Sequence, residues 1–257
     1  MRKRSVPGRV LLAVLVLLCV SPFLYLFAGS FFDDAGRVTL RYYYQVFLAT
    51  PQYLIRFWKS IAMSLCIAAG QTAFAALAGF GFAKCRFRGK NGLFFVLTVL
   101  MILPLQVTLI PNYMILSRMG LLDSYAALIL PAVFVPLGTY LMTRTFRSVP
   151  NDVLEAARLD GCNTARMIVS VACPIGRNGL LCTFLLSFLD GWNMVEQPIV
   201  YLNRFTDYPL SVALASAPAE GKTIQLVCCV LSAIPPLLLF ALLNRELAEG
   251  IVVGGEK

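Results

Sequence analysis

Glu155-Ala156-Ala157-Arg158-Leu159-Asp160-Gly161, with Ile168 and Pro174 beyond it, is the stretch on which the reading of this chain turns. It is charged, yet it lies between two very apolar runs. Val153, Leu154 and Ala157 fall on one helical face, and Glu155 and Arg158 stand at the i,i+3 spacing of an ion pair. Pro150 suits a first helical position, with Ser148 as its cap. Gly161 offers the φ > 0 freedom that a sharp break between two helices needs. Asn163 or Thr164 then caps a second helix with Ala165, Ile168 and Ala172 on one side, and Pro174 ends it. A helix-turn-helix docking element is expected here.

Composition says what surrounds that element. The chain has 257 residues, of which 59% are hydrophobic and only 14% charged. A soluble domain is nearer 45–50% apolar and about 25% charged, so a polytopic membrane protein is expected. There is no histidine, which removes the commonest general base and metal ligand. None of the eight cysteines forms a C-x-x-C pair, and they read as small buried hydrophobes. The net charge of +9 does not point to nucleic acid, because the basic residues cluster beside apolar runs.

Uncharged windows locate the spans. Arg9 to Asp33 encloses 23 uncharged residues, Lys59 to Lys84 encloses 24, Lys90 to Arg118 encloses 27, Asp123 to Arg144 encloses 20 and Lys222 to Arg245 encloses 22. Each exceeds the roughly 18–20 residues that a helix needs to cross a bilayer core. Arg177 to Arg204 encloses 26 residues interrupted by Asp190 and Glu196, and counting it makes six. The expected transmembrane helices are therefore 10–29, 60–83, 93–112, 125–143, 179–201 and 223–243, in an all-α chain. The first is read as an uncleaved anchor, since its apolar run is longer than a signal-peptide core. With the N-terminus inside, fifteen lysines and arginines fall on the cytoplasmic side and seven outside. Both termini and the loop 144–178 are then cytoplasmic.

Four further stretches give local readings. The aromatics of 31–58, including Tyr42, Tyr43, Tyr44, Phe47 and Trp58, read as an interfacial belt. Ala69, Ala73, Ala75, Gly79 and Ala83 in the second span allow close helix packing within the subunit. Asp190, Asn193 and Gln197 fall within roughly 60° of one another on a helical wheel. A carboxylate in hydrocarbon is costly, so that stripe should face protein or water. It reads either as a polar lining for a hydroxyl-rich solute or as an interhelical clamp, with breaks at Gly191 and Pro198. Glu220-Gly221-Lys222-Thr223 mimics the end of a phosphate-binding loop, but Ser216 stands where its first glycine belongs, so no nucleotide site is assigned.

The pattern E-A-A, three residues, G, with a proline thirteen positions later, resembles the EAA loop of permease subunits in binding-protein-dependent ABC importers. Glu155, Ala156, Ala157, Gly161 and Pro174 match it, while Cys173 stands where leucine is usual. Arg86-Phe87-Arg88-Gly89 also resembles the family, and Thr39-Leu40…Tyr43 and the tail Asn244 to Gly255 are similar to carbohydrate-type members with the MetI-like fold, such as maltose-system permeases. The resemblance covers Val10 to Gly255 and implies one transmembrane domain, 1–257. It further implies that Glu155, Ala156, Ala157, Asp160, Gly161 and Pro174 form the ATPase-coupling loop. The implied partners are a second, different permease subunit, two cytosolic ATP-binding subunits and an extracytoplasmic solute-binding protein, in a bacterial plasma membrane. ATP and Mg would be bound by the ATPase subunits, leaving this chain without a cofactor, metal or catalytic residue, and not an enzyme. The solute is expected to be a sugar or oligosaccharide. The alternatives are an ABC importer for another solute, or a secondary transporter using Asp190 as its coupling acid.

Overall fold

In hydrocarbon, backbone N–H and C=O groups must find partners within the chain, which favours helices wherever the sequence runs long and uncharged. The computed structural model describes residues 6–33, 36–49, 51–215 and 222–252. Among these the fold is helical, relieved by one isolated bridge between Phe32 and Val38. The helices in chain order are α1 (Val6–Gly29), α2 (Arg41–Tyr44), α3 (Pro51–Lys84), α4 (Lys90–Leu100), α5 (Leu105–Arg118), α6 (Tyr125–Val133) and α7 (Pro136–Arg147). They continue as α8 (Asn151–Leu159), α9 (Thr164–Met167), α10 (Cys173–Ile175), α11 (Arg177–Trp192), α12 (Glu196–Tyr201), α13 (Leu210–Ala215) and α14 (Lys222–Val252). A π-turn at Ile168–Ala172 makes α9 and α10 one continuous rod.

Three described helical stretches are long and apolar enough to cross a membrane: Pro51–Lys84, Tyr125–Arg147 and Thr223–Leu243. Two further pairs pass the same test only together, because each is sharply bent. Lys90–Leu100 and Leu105–Arg118 meet at 104°, so residues 93–112 are not the straight helix expected from their uncharged window. Pro104 explains the turn: its backbone is extended, at φ −66° and ψ 145°, and it starts α5 rather than continuing α4. The second bend, 87°, falls between the rod Thr164–Ile175 and α11. Pro131 and Pro136 likewise bracket the break between α6 and α7.

The centre of the molecule is α3, against which α7 and α11 pack. At Gly79 an added Cβ would stand 2.6 Å from Met142 Cβ and 2.9 Å from the Thr143 backbone nitrogen, so the α3–α7 crossing admits no side chain there. Ala75 and Ala76 are buried beside it, whereas Ala69 and Ala73 face outward. The small-residue stripe therefore serves packing within this chain, over its C-terminal half only. Hydroxyls at these crossings turn back onto their own helices: Thr143 to the Thr139 carbonyl at 2.7 Å, Thr183 to Gly179 at 2.8 Å and Ser187 to Thr183 at 2.7 Å. These three hydroxyls thereby avoid an unsatisfied-donor cost of about 1–3 kcal/mol each, whereas Ser64 Oγ of α3 is buried without a partner among the described residues.

The aromatic segment departs from a simple belt. Residues 41–58 are largely helical, and Tyr53, Phe57 and Val46 are buried with Trp192 and Phe188 in one core. Phe57 meets Trp192 edge-on, at 5.9 Å between ring centroids. Tyr42, Tyr43 and Phe47 pack against that core, leaving Tyr44 and Trp58 as the exposed members. Opposite them, Lys59 pairs with Asp207 at 3.5 Å and Ser60 Oγ accepts the Leu210 N–H at 2.8 Å, pinning the 203–209 connection to α3.

Candidate coupling loop and polar cleft

The charged segment folds as two helices with a defined joint. Gly161 has φ +81°. The Cys162 N–H donates to the Ala157 carbonyl and the Gly161 N–H to Arg158, both at 3.0 Å. Paired bonds of this kind close a helix C-terminus around a left-handed residue. Asn163 caps the next helix, its Oδ1 accepting the Arg166 N–H at 2.8 Å. Thr164 is then the first helical residue.

Other local expectations are corrected. Pro150 is the N-cap of α8 rather than its first helical residue. Ser148 does not cap α8; its hydroxyl donates to the Thr145 carbonyl at the end of α7. No ion pair joins Glu155 and Arg158 among the described residues, where both are exposed. Pro174 does not end the second helix. The rod runs to Ile175 and breaks at Gly176, where an added Cβ would stand 3.0 Å from Thr145 Cγ2 and 3.1 Å from the Phe146 ring.

Burial divides the loop into two faces. Leu154, Met167, Ile168 and Ala172 lie in a core with Phe80 of α3 and Met142 and Phe146 of α7, so the pair is braced on its own subunit. Ala157 is buried on the same side. Glu155, Ala156, Arg158, Asp160 and Pro174 are exposed, as are Val153 and Ala165, which helical phase alone places inward. Leu159 is 90% exposed, an apolar side chain held out on a charged segment. Met167 and Leu159 are the residues that sequence reasoning missed. The first precedes Ile168 by one residue, about 100° round the helix from the predicted face, and an exposed leucine looks like a core leucine in sequence.

The acidic span is also rearranged. Asp190 lies in α11, Asn193 is the C-cap of α11, and Gln197 belongs to α12 after a break at 193–195. The expected single stripe therefore does not exist: Asn193 is exposed and donates from Nδ2 to its own Leu189 carbonyl at 2.9 Å. Nor do the breaks fall at Gly191 and Pro198. Gly191 is a crossing point, where a Cβ would come within 3.3 Å of Ser64 Cα, and Pro198 is buried inside α12. Asp190 lines a narrow cleft between α3, α7 and α11 together with Gln71, Leu141, Thr183 and Ser187. Gln71 is 3% exposed and donates to the Val135 carbonyl at 3.4 Å. Its place in α3, amid alanines, gave no sequence signal. Glu196, farther out, accepts both of its bonds from Gln106 Nε2, at 2.9 and 3.1 Å, tying α12 to α5. Among the described residues no cluster of histidine, cysteine or carboxylates is arranged to hold a metal. The phosphate-loop mimic and the N-terminal basic residues 1–4 lie wholly or partly outside the described residues.

The family model for the inner membrane component of binding-protein-dependent transport systems matches residues 71–245, spanning the cleft, the helix pair and most of α14. The chain belongs to this family. Among similar proteins is the arabinooligosaccharides transport system permease protein AraQ of Halalkalibacterium halodurans. It is 26% identical over 227 residues, covering 87% of this chain and 81% of that protein. The sn-glycerol-3-phosphate transport system permease protein UgpE of Escherichia coli K12 is 28% identical over 208 residues, 76% of this chain and 73% of that protein. A bacterial ABC transporter involved in import of the acidic polysaccharide alginate has a chain of the same fold. Its TM-score is 0.83 at 22% identity, with 93% of this chain and 95% of that chain covered. The protein is thus a multi-pass inner-membrane permease subunit of an ABC importer, a transport component and not an enzyme. Membership implies work alongside ATPase and solute-binding subunits.

Proposed function

We propose that this permease forms one half of the pathway for a sugar or oligosaccharide, beside a second, non-identical permease subunit. In this reading residues 1–257 are one domain of six spans with both termini in the cytoplasm, and 144–178 is the coupling loop. ATP and Mg²⁺ are bound by the ATPase subunits, so this chain carries no cofactor. The names of its relatives, one for arabinooligosaccharides and one for glycerol-3-phosphate, support a small hydroxyl-rich solute.

The observation that carries the proposal is the two-faced helix pair: one side buried against α3 and α7, the other presenting Glu155, Ala156, Leu159 and Asp160. The pair α8–α10 seats in a groove of an ATPase subunit, with Leu159 as its apolar contact, Glu155 as its charge and the small Ala156 permitting close approach. Pro174, near the far end of the rod, keeps that end in register. Closure of the ATPases then moves the pair and the helices braced to it between inward- and outward-facing states. Free energy that differs between those states is what drives such a change. Asp190 and Gln71 line the solute's route through the cleft, with Asn193 and Gln197 nearer its outer end.

The test is ATP-driven uptake by the complete importer carrying Glu155→Lys or Leu159→Asp. Uptake should be lost at unchanged permease abundance, and ATPase subunits should co-purify less well. Solute binding by the separate receptor should not change. Wild-type uptake in both variants refutes the docking assignment.

A further inference from the structure

Lys84, the last residue of α3, reaches across to the start of the docking pair. Its ammonium donates to the Val149 carbonyl at 2.5 Å and to Asn151 Oδ1 at 2.8 Å. Asn151 is the first residue of α8, and the intervening Pro150 has neither an N–H nor a capping side chain to secure that helix end. Lys90, the neighbouring cation, is engaged elsewhere. It donates to the Ala83 and Cys85 carbonyls at 3.4 and 3.0 Å and so closes the end of α3. Lys84 alone of these two therefore ties α3 to α8.

Helix α3 is continuous from Pro51 to Lys84, and Gln71 of the polar cleft lies on it, roughly 20 Å from Lys84 at ~1.5 Å per residue. Phe80, one turn before Lys84, meets Phe146 of α7 edge-on at 5.9 Å. Apolar contacts of that kind hold two elements together but tolerate sliding. Two charge-assisted bonds to adjacent points fix both distance and angle.

We propose that Lys84 is a positioning residue for transport, transmitting displacement of α8 to α3 and thence to the cleft. The proposal rests on reading the 151–175 pair as the ATPase dock. One of the two acceptors is a backbone carbonyl that no substitution removes, so the side chain at position 84 matters more to the linkage than the one at 151. Arginine supplies donors for both acceptors. Methionine keeps the length and apolar stem of lysine and loses both bonds.

The experiment measures solute transported per ATP hydrolysed by the complete importer in proteoliposomes, with subunit stoichiometry determined on the same preparations. Lys84→Met should lower that ratio at least about tenfold, since each of the two lost hydrogen bonds to a charged group is worth roughly that factor. Asn151→Ala should lower it less, and Lys84→Arg should restore it to near wild type. ATPase subunits should remain bound in all three. A wild-type ratio in Lys84→Met overturns the proposal. So does a parallel fall of transport and hydrolysis with loss of ATPase subunits, which would mark a merely structural lysine. Glu155→Lys is the reference: if it disrupts transport while Lys84→Met couples normally, the Lys84 proposal alone falls. If Glu155→Lys behaves as wild type, the dock assignment falls and Lys84 falls with it.

Discussion

Gly161→Val tests the joint of the docking pair in isolation from packing. The glycine sits at φ +81°, and an added Cβ would meet nothing within 4 Å. No clash therefore contributes, and the cost is that of the left-handed backbone, roughly 1–2 kcal/mol and at the upper end for a β-branched side chain. That reduces the population of the correct bend by a factor of about 5–30, against a total stability of about 5–15 kcal/mol for a typical fold. The protein should reach the membrane, with its docking helices mis-aimed. Asparagine visits the left-handed region far more readily than other side chains, so Gly161→Asn separates backbone strain from any effect of added bulk. The assay is ATP-driven solute uptake normalised to permease abundance in the membrane. The expected order is Gly161, then Asn, then Ala, with Val close to inactive. Equal uptake by Val and wild type refutes the reasoning, and so does an Asn variant as impaired as Val, because the defect would then not come from φ.

At the α3–α7 crossing, Gly79→Val forces a side chain against the Met142 and Thr143 backbone and should cost about 1–3 kcal/mol, read as a lower unfolding temperature in detergent. An unchanged temperature would show that the helices part freely. For topology, Ser148→Cys and Thr206→Cys, both exposed and on opposite ends of the chain's long helices, are labelled in a cysteine-free background. An impermeant reagent should reach position 206 from outside and position 148 only after the membrane is opened; labelling of 148 in intact cells contradicts the cytoplasmic assignment of the docking pair. Asp190→Asn and Gln71→Ala should change the KM for solute severalfold while subunit stoichiometry stays normal. Failure to assemble would instead make the α3–α11 cleft an interhelical clamp.

The helical class, the membrane habit and the family were all legible in one dimension. Uncharged runs of 20 or more residues leave the backbone few options, and the E-A-A…G spacing survives translation into any tertiary setting. The left-handed joint was legible too, because glycine's backbone freedom is an intrinsic property of the residue. What depends on neighbours was not. Helical phase placed Leu154 and Ala157 correctly, but it also placed Val153 inward, and where the buried stripe of α8 ends is settled by Phe80 and Phe146 packed against Leu154. Pro104 and Gly176 bend the chain through 104° and 87°, whereas Pro198 stands in the first turn of α12, where a missing N–H breaks no intrahelical bond, and Pro174 follows the π-turn within the rod. Gln71 met Asp190 across a cleft through the crossing of α3 with α11, 119 positions apart in sequence. Local periodicity carries the information for helices, while juxtapositions of that range arise only from how the helices cross, and only the tertiary structure decided them.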